Sequence, residues 1–335
     1  MTQLIDAFGR QINYLRISLT DRCNFRCTYC MPEQMHFEPR QEQLASAELL
    51  MIARAFTELG VTKIRLTGGE PTIHPDFDFL LSALSGIDAL QTIALTTNGS
   101  TLNQKAAVIK QSKVQQLNIS LDSLQADNFK RITRCGDLSE VLTGISRASE
   151  LDIKRVRLNV VVSAGVNDHE LDDLLDFAIK QSIHIAFIEE MPLGSMPNYS
   201  RSAHFLSNQQ VKEHFAARYT LLPMLEKRAQ SGPAEYYKIA GSSSELGFIS
   251  PHSNNFCSSC NRVRLTRKGE LILCLGQESS VDLRAVIRAH TDEQEQLLHL
   301  KQTIIAAMAA KPESHQFDHS SDDVQVVRFM NVTGG

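Results

Sequence analysis

Six apolar, strand-like segments alternate with amphipathic, helix-like segments over the first 190 residues or so. The strand-like segments are residues 14–19, 63–67, 92–96, 116–121, 154–162 and 184–188. They recur at intervals of roughly thirty residues, which is the size of one strand–helix–strand unit. This alternation predicts a parallel sheet with helical connections, either open and doubly wound or rolled into a barrel. The two further units that a complete eight-stranded barrel requires are not found.

The most distinctive residues of the chain follow the ends of these strands. Three cysteines follow the first strand, Gly68-Gly69-Glu70-Pro71 follows the second, and Thr97-Asn98-Gly99 follows the third. The fourth strand leads into Ser120 and Asp122, and the sixth leads into Glu189, Glu190 and Met191. Because active sites of parallel α/β folds lie at the carboxyl ends of the strands, these residues predict one shared site.

The cysteines after the first strand form what we call the N-terminal triad: Cys23, Cys27 and Cys30, spaced C-x3-C-x2-C. Thiolates suit zinc, copper(I) and iron–sulfur clusters. A structural zinc site normally has four protein ligands, whereas three cysteines on a four-iron cluster leave one iron open to bind a small molecule. On spacing alone, a zinc knuckle or three unrelated buried cysteines remain alternatives.

A second set of three, the C-terminal triad, comprises Cys257, Cys260 and Cys274. Zinc is an equal alternative here if a histidine such as His252 adds a fourth ligand. Arg262 and Arg264 follow directly, and their alternation on an extended strand places both on one face. Guanidinium groups grip phosphate in a bidentate manner, so the sequence predicts a polyphosphate pocket beside a metal centre with an open position.

Composition narrows the class of protein. The net charge of -4 argues against a general nucleic-acid binder. The first residues lack the apolar run of a signal peptide, and no apolar stretch is long enough to suggest a membrane helix. Seven cysteines without an export signal predict the cytoplasm, where cysteines more often bind metal or react than form disulfides. The strand–helix pattern ends after Met191, and residues 221–256 are rich in serine, glycine and proline, which predicts domains at 1–205 and 206–335.

Together these motifs resemble those of the MoaA family, the GTP 3′,8-cyclases of molybdenum-cofactor biosynthesis within the radical S-adenosylmethionine (SAM) superfamily. The resemblance extends over nearly the whole chain. It rests on residues 21–30 (DRCNFRCTYC), 65–71 (RLTGGEP), 96–99 (TTNG), 118–124 (NISLDSL) and 187–189 (FIE), then on the C-terminal triad with Asn261-Arg262-x-Arg264 and on the terminal Gly334-Gly335. The two triads with NRxR and the double glycine are the most diagnostic features.

The resemblance implies an incomplete (β/α)6 TIM-like barrel of the radical SAM type, closed by a C-terminal cluster-binding segment. It implies two [4Fe–4S] clusters, one held by each triad. SAM would bind the open iron of the N-terminal cluster, and GTP would bind that of the C-terminal cluster. The implied SAM contacts are Tyr29, Gly69, Glu70, Thr96, Ser120 and Met191, and the implied GTP contacts are Arg16, Arg65, Arg157, Arg262 and Arg264.

The resemblance also implies a reaction and partners. Reductive cleavage of SAM would give a 5′-deoxyadenosyl radical that takes hydrogen from the ribose C3′ of GTP, and C3′ would then join C8. The Gly334-Gly335 tail would enter the active site and be needed for cyclisation. The implied partners are an electron donor such as a flavodoxin or ferredoxin, a downstream cyclic pyranopterin monophosphate synthase and a second copy in a homodimer, with no membrane and no nucleic acid.

Several positions depart from the family pattern. Arg157 stands where the family has lysine, Ala186 where it has arginine, and Thr72-Ile73-His74 where a basic residue is expected; Thr333 replaces the isoleucine before the double glycine. All of these changes touch the substrate side. Two alternatives therefore stay open: a diverged radical SAM enzyme acting on another substrate such as a peptide, and a non-enzymatic zinc or iron–sulfur module that senses redox state.

Overall fold

The computed structural model describes residues 3–37, 39–196, 199–224, 232–253, 256–315, 317 and 325–334, so that Gly335 lies outside the described residues. Six strand–helix units form the first part of the fold. Their strands are β1 (Tyr14–Ser18), β2 (Lys63–Thr67), β3 (Thr92–Thr97), β4 (Val114–Ser120), β5 (Arg155–Val162) and β6 (His184–Glu189). Their helices are α1 (Ser46–Glu58), α2 (Phe77–Ser85), α3 (Leu102–Lys110), α4 (Ala126–Thr133), α5 (Leu138–Ser149) and α6 (Leu171–Lys180).

The C-terminal part adds shorter elements. Its strands are β7 (Leu221–Pro223), β8 (Glu235–Ile239), β9 (Glu245–Ile249), β10 (Arg262–Leu265), β11 (Glu270–Ile272) and β12 (Ser280–Asp282). Its helices are α7 (Arg201–His204), α8 (Asn208–Ala216), α9 (Leu283–Arg288), α10 (Glu293–Met308) and α11 (Met330–Thr333). In the described part of the chain, no helix is both long enough and apolar enough to cross a membrane.

All twelve of these strands belong to one sheet, in the order β12-β11-β10-β1-β2-β3-β4-β5-β6-β9-β8-β7. The predicted strands β1 to β6 are parallel neighbours in chain order. The C-terminal part extends both edges, because β10 pairs in parallel with β1 and β9 pairs in parallel with β6. The sheet stays open, as expected for an incomplete barrel extended by its C-terminal segment.

Alternation along the strands separates an apolar outer face from a polar inner face. In β2, for example, Ile64 and Leu66 are fully buried in the main hydrophobic core, where helix residues such as Leu49 and Phe56 also pack. The alternating residues Lys63 and Arg65 instead line an internal cavity. Complete barrels of this type fill their interior with branched apolar side chains. Charged inner positions therefore leave a chamber where a packed core would otherwise form.

Candidate active site

The barrel encloses a cavity of about 810 Å³, a volume typical of small-ligand pockets. Its wall is built from inward-facing strand residues and from the loops at both ends of the strands. Most of the residues that the sequence singles out line it: Arg16, Cys23, Cys27, Tyr29, Cys30, Arg65, Gly69, Thr96, Ser120, Arg157, Met191, Cys260, Arg262 and Arg264.

The two triads reach this cavity from opposite ends. Cys23 follows the carboxyl end of β1, whereas Cys260 precedes the amino end of β10. Because β10 runs parallel to β1, with Arg262 paired to Tyr14, the two cysteines lie at opposite edges of the same pair of strands. A five-residue parallel strand is roughly 16 Å long. The cavity between the triads is therefore longer than a single small metal site requires.

The N-terminal triad lies on a loop that the barrel holds through its backbone. Arg26 N–H donates to the Thr133 carbonyl at 3.0 Å, and Thr28 N–H donates to the Ile132 carbonyl at 2.9 Å. The sulfur of Cys23 accepts from the Phe25 N–H at 3.3 Å and lies 3.8 Å from the Asn98 side-chain nitrogen. These contacts fix the loop against α4 and against the strand-three motif.

The three thiols of this triad influence one another. Burial raises the pKa of Cys30 to about 12, and the neighbouring Cys23 acts in the same direction. Burial likewise raises the pKa of Cys23 to about 12, assisted by the charge of Glu70. The pKa of Cys27 is raised by burial, by Cys30, by Asp122 and by Cys23. Thiols of this kind stay protonated at neutral pH, so a metal must displace their protons when it binds.

The C-terminal triad has a different electrostatic environment. Burial would raise the pKa of Cys260, but Arg262 and Lys311 outweigh it and lower this pKa below its ordinary value. For Cys257, burial raises the pKa, and both Cys274 and Cys260 add to the rise. The three side chains are thus close enough to interact. Cys260 lines the cavity, while Cys257 and Cys274 are not among the lining residues.

Both donor sets fit iron–sulfur clusters. Each supplies three mutually close thiols, and one set borders the Gly68–Glu70 turn while the other borders cationic side chains. Among the described residues, no three His, Cys, Asp or Glu side chains converge on a point that could hold one metal ion. A four-iron cluster takes each thiolate at a separate iron, so its ligands do not need to converge in that way.

The Gly68-Gly69-Glu70 turn packs directly on the backbone that leads into the N-terminal triad. Gly69 N–H donates to the Thr20 carbonyl at 2.7 Å, and Glu70 N–H donates to the Arg22 carbonyl at 2.8 Å. A Cβ atom on Gly69 would overlap the Arg22 carbonyl oxygen. The sequence suggests that glycine here allows close approach of a ligand; the structure adds that it allows close approach of the cysteine loop.

Glu70, which the sequence implies as a cofactor contact, lies under the cavity wall. Its side chain is completely buried. Its carboxylate accepts from the Thr97 hydroxyl at 2.8 Å, from the Asn98 N–H at 2.6 Å and from the Thr72 N–H at 3.1 Å. These bonds join the turn after β2 to the turn after β3, so the structure gives Glu70 the role of holding two cavity-lining turns together.

The other implied SAM contacts line the cavity near the N-terminal triad. Tyr29 donates from its hydroxyl to Asp122 at 2.7 Å, which links the cysteine loop to the end of β4. Burial raises the pKa of Asp122 to about 6, against the opposing hydrogen bond from Tyr29. Thr96 accepts a hydrogen bond from Arg65 at 3.0 Å. Gly69, Ser120 and Met191 complete this part of the wall.

Seven cationic side chains line the middle and far end of the cavity, and we call them the basic belt. Its members are Arg16, Lys63, Arg65, Arg155, Arg157, Arg262 and Arg264. The strand register brings three of them side by side, since Arg16 pairs with both Arg65 and Arg264. Burial lowers the pKa of Arg16 to about 9, and repulsion from Arg262 and Arg65 acts in the same direction. Because the cations of the belt repel one another, the cavity favours the binding of a polyanion.

Tyr14 is the internal counter-charge of the belt. Its hydroxyl accepts from Arg65 at 2.7 Å, and Lys63 lies 4.8 Å from the centre of its ring. Burial raises the pKa of Tyr14, but Arg65, Arg16 and Lys63 together lower it to about 6. The belt therefore stabilises a negative charge even on a weakly acidic phenol.

The C-terminal tail lies against the same chamber. Asn331 donates to the Asp21 carbonyl at 2.7 Å, which docks α11 on the start of the cysteine loop. Arg264 donates to the carbonyls of Thr333 and Gly334. Gly334 has φ +79°, and a Cβ there would overlap the Thr67 side chain. The penultimate residue is thus held between two residues of the cavity wall.

Sequence comparison agrees with this geometry. The Radical SAM superfamily profile matches residues 17–178, and the Molybdenum Cofactor Synthesis C profile matches residues 183–317. A GTP 3′,8-cyclase of Pseudomonas fluorescens is 51% identical over 333 residues, 99% of this chain and 98% of the relative. GTP 3′,8-cyclase 2 of Pseudomonas aeruginosa is 47% identical over 334 residues, 100% of this chain and 99% of the relative. The chain belongs to the GTP 3′,8-cyclase family.

Solved structures confirm the fold class. The crystal structure of Streptococcus suis SuiB bound to S-adenosylmethionine matches with a TM-score of 0.58 and 14% identity, covering 89% of this chain and 69% of that chain. A second SuiB structure gives a TM-score of 0.60 at 14% identity, covering 94% and 78%. At this identity the likeness concerns the fold alone. The predicted family, enzyme class and radical SAM barrel are therefore confirmed.

The structure also shows the surroundings of Ala186 and Arg157, two positions at which a departure from the family pattern is expected from the sequence. Ala186 pairs with Gly247, and the Tyr236 ring lies against that glycine. The Tyr236 hydroxyl accepts from Arg157, and Arg155 lies 4.7 Å from the centre of its ring. An aromatic residue therefore lies beside Ala186 and binds Arg157, where the resemblance implies a lysine.

Two belt members, Lys63 and Arg155, were not predicted from the sequence. Lys63 lies two residues before Arg65, and Arg155 lies two residues before Arg157. Alternation along a strand could therefore have predicted both residues. The departure at Thr72-Ile73-His74 lies away from the wall: Thr72 and His74 are buried, and both belong to the turn that Glu70 holds.

Proposed function

We propose that this chain catalyses the radical SAM cyclisation of GTP to (8S)-3′,8-cyclo-7,8-dihydroguanosine 5′-triphosphate, the first step of molybdenum-cofactor biosynthesis. The observation that carries the proposal is a cavity with the N-terminal triad at one end, Cys260 of the C-terminal triad at the other and the basic belt between them. Family membership supplies the reaction. The cofactors are SAM and two [4Fe–4S] clusters.

Cys23, Cys27 and Cys30 are proposed to hold the cluster that binds SAM. When bound there, the cluster and SAM supply a 5′-deoxyadenosyl radical. The protein's own contribution is position: the Tyr29–Asp122 hydrogen bond and the packing of Gly69 on Arg22 fix the loop that presents the thiols. Thr96, Ser120 and Met191 line the wall beside this loop. Hydrogen bonds to the Glu70 carboxylate hold the turn after β2 against the turn after β3.

Cys257, Cys260 and Cys274 are proposed to hold the second cluster, beside which the purine of GTP binds. The triphosphate lies along the basic belt, with Arg16, Arg65, Arg157, Arg262 and Arg264 as its proposed contacts. Arginine pairs with phosphate in a bidentate manner, and binding a polyanion removes the repulsion among the belt cations. In this arrangement the ribose is proposed to lie between the two triads.

The tail is proposed to act on the substrate side. Gly334 contacts Arg264 and Thr67, which line the cavity, and Gly335, the other predicted tail residue, lies outside the described residues. A carbonyl that accepts from Arg264 orients this guanidinium. We propose that Gly334 and Gly335 are required for cyclisation, and that SAM cleavage proceeds without them.

Further proposals concern organisation and partners. We propose a barrel domain at 1–205 and a cluster- and substrate-binding segment at 206–335. A flavodoxin or ferredoxin would donate electrons, a cyclic pyranopterin monophosphate synthase would take the product, and the chain could pair as a homodimer. A cytoplasmic location is supported by seven described cysteines that form no disulfide.

The proposed function is tested by anaerobic reconstitution followed by incubation with SAM, a reductant and GTP. The protein is expected to bind about eight irons per chain, four for each cluster, and to release 5′-deoxyadenosine together with the cyclised nucleotide. Stoichiometric zinc in freshly purified anaerobic protein would contradict the ligand assignment. Turnover of a peptide but not of GTP would favour the diverged-enzyme alternative, and absence of SAM cleavage would favour the redox-sensing one.

A further inference from the structure

Lys311 lies behind the C-terminal triad. It follows the end of α10, where its N–H donates to the Met308 carbonyl at 3.1 Å. Its side chain is buried, at 2% exposure. The ammonium donates to the Leu273 carbonyl at 2.7 Å and lies 3.7 Å from the sulfur of Cys260. Because Leu273 directly precedes Cys274, one side chain contacts a sulfur of the triad and the backbone beside another.

The charge of Lys311 has no carboxylate partner among the described residues, since its two contacts are a carbonyl and a sulfur. Burial of an ammonium is costly unless negative charge lies nearby. Among the described residues, the side chain in contact with the Lys311 ammonium that can carry such a charge is the thiol of Cys260. Arg10, a second cation beside the triad, provides a contrast. It donates to the Cys257 carbonyl at 2.9 Å, but Asp6 pairs with it at 2.6 Å.

Among the described residues that contact the sulfurs of the N-terminal triad, none is a lysine or an arginine. The sulfur of Cys23 is approached by a backbone N–H from Phe25 and by the neutral amide of Asn98. Net charge and hydrogen bonds to sulfur are among the factors that set the reduction potential of an iron–sulfur cluster. A cation beside a sulfur ligand stabilises the reduced form, which carries one more negative charge, and so raises the potential.

We propose that Lys311 is a positioning residue whose positive charge holds the C-terminal cluster and keeps its reduction potential above the value that a neutral side chain would give. This inference rests on the proposed function, which assigns Cys257, Cys260 and Cys274 as ligands. It gives the two triads different contacts at sulfur: an ammonium lies beside the sulfur of Cys260, whereas neutral donors lie beside the sulfur of Cys23 and the nearby Arg26 donates to the Cys23 carbonyl instead.

The test uses the full chain with Cys23, Cys27 and Cys30 all changed to alanine, so that only the C-terminal cluster remains. Lys311→Met removes charge and hydrogen bond, Lys311→Gln keeps a donor for the Leu273 carbonyl, and Lys311→Arg keeps the charge. Lys301→Met, on the exposed side of α10 where Lys301 pairs with Glu58, is the matched control. Iron content and an EPR-monitored redox titration are measured on each, with the thermal midpoint as the check on folding.

Lys311→Met and Lys311→Gln are both expected to shift the midpoint potential to more negative values, or to lose the iron while keeping the thermal midpoint. Lys311→Arg and Lys301→Met are expected to match the parent. The inference is overturned if Lys311→Gln behaves as the parent, because the hydrogen bond alone would then suffice, or if all variants share one potential. A parent protein without its roughly four irons overturns the ligand assignment itself, which is a distinguishable failure.

Discussion

At the scale of single residues, charge is what defines the substrate end of the cavity. Arg264, Arg16 and Arg65 lie side by side on three neighbouring parallel strands. Placing cations together in a buried chamber costs free energy, because each repels the others and each loses hydration. Tyr14 offsets part of that cost through its contact with Arg65, and a triphosphate would offset more.

Removing single arginines should therefore weaken nucleotide binding. We expect Arg262→Ala and Arg264→Ala each to cost roughly 1.5–3 kcal/mol of GTP binding, the scale of a hydrogen bond to a charged group, or roughly ten- to a hundred-fold in Kd. Equilibrium titration under anaerobic conditions measures this. Arg147→Ala, which removes an exposed arginine paired with Glu150, is the control. Unchanged affinity and turnover in both belt variants would show that the belt does not bind the triphosphate.

Tyr14 gives a pH-dependent prediction. Because its pKa in the folded protein is lowered from 10 to about 6, ionisation of this phenol stabilises the fold above about pH 6, increasingly up to about pH 10, and this contribution is lost as pH falls through 6. The destabilisation caused by Tyr14→Phe should thus grow between pH 6 and pH 10 in denaturant unfolding. Tyr219→Phe is the control, since the pKa of Tyr219 is raised to about 12. A pH-independent difference would contradict the assignment.

The residue-level predictions from sequence succeeded where alternation along a strand applied. Arg262 and Arg264 were expected on one face, and both line the cavity. The same rule was not extended to Lys63 and Arg155, which is why these two belt members were missed. Glu70 shows a different limit: a residue in a tight turn can face the ligand or the neighbouring turn, and composition and spacing do not distinguish the two.

At the scale of elements, the cysteine loop and the turn after β2 act as one unit. Gly69 contacts the backbone of Arg22 so closely that any side chain would displace the loop. We expect Gly69→Ala to reduce the bound iron from about eight toward four per chain, measured by iron analysis after reconstitution. Gly232→Ala, where a Cβ meets nothing within 4 Å, should bind iron normally. Full iron content in Gly69→Ala would show that the loop tolerates the displacement.

The tail is a second element with a separable role. Deleting Gly334 and Gly335 removes the carbonyl that accepts from Arg264, a charge-assisted contact. We expect the cyclised product to fall roughly tenfold or more, while iron content and SAM cleavage stay normal. Gly334→Ala should have a similar effect, because φ +79° and the nearby Thr67 both disfavour a side chain. A truncated enzyme with the normal rate of cyclisation would show that the tail has no catalytic role.

The elements themselves were largely predictable. The six predicted strands agree with β1 to β6 to within two residues at each end, because each has a strong apolar face and is followed by a helix. The pairing of β10 with β1 joins residues far apart in the chain. Local sequence patterns carry no information about such a pairing, and the same holds for β9 beside β6.

At the scale of the whole molecule, the fold places the two cysteine triads, our proposed cluster ligands, toward opposite ends of one chamber. The parallel strands set the separation, the inner face supplies the charges, and the C-terminal segment brings the second triad to the amino end of β10. We therefore propose that SAM is cleaved at one end of the cavity and that GTP is held at the other.

The measurement that tests this claim most directly compares Cys23→Ala with Cys257→Ala. Each variant is reconstituted anaerobically and incubated with SAM, a reductant and GTP, and both 5′-deoxyadenosine and the cyclised nucleotide are quantified. We predict that Cys23→Ala forms neither product, whereas Cys257→Ala forms 5′-deoxyadenosine without the cyclised nucleotide. Cyclised nucleotide at the wild-type rate from Cys257→Ala, or SAM cleavage by Cys23→Ala, would contradict the division of the chamber between the two triads.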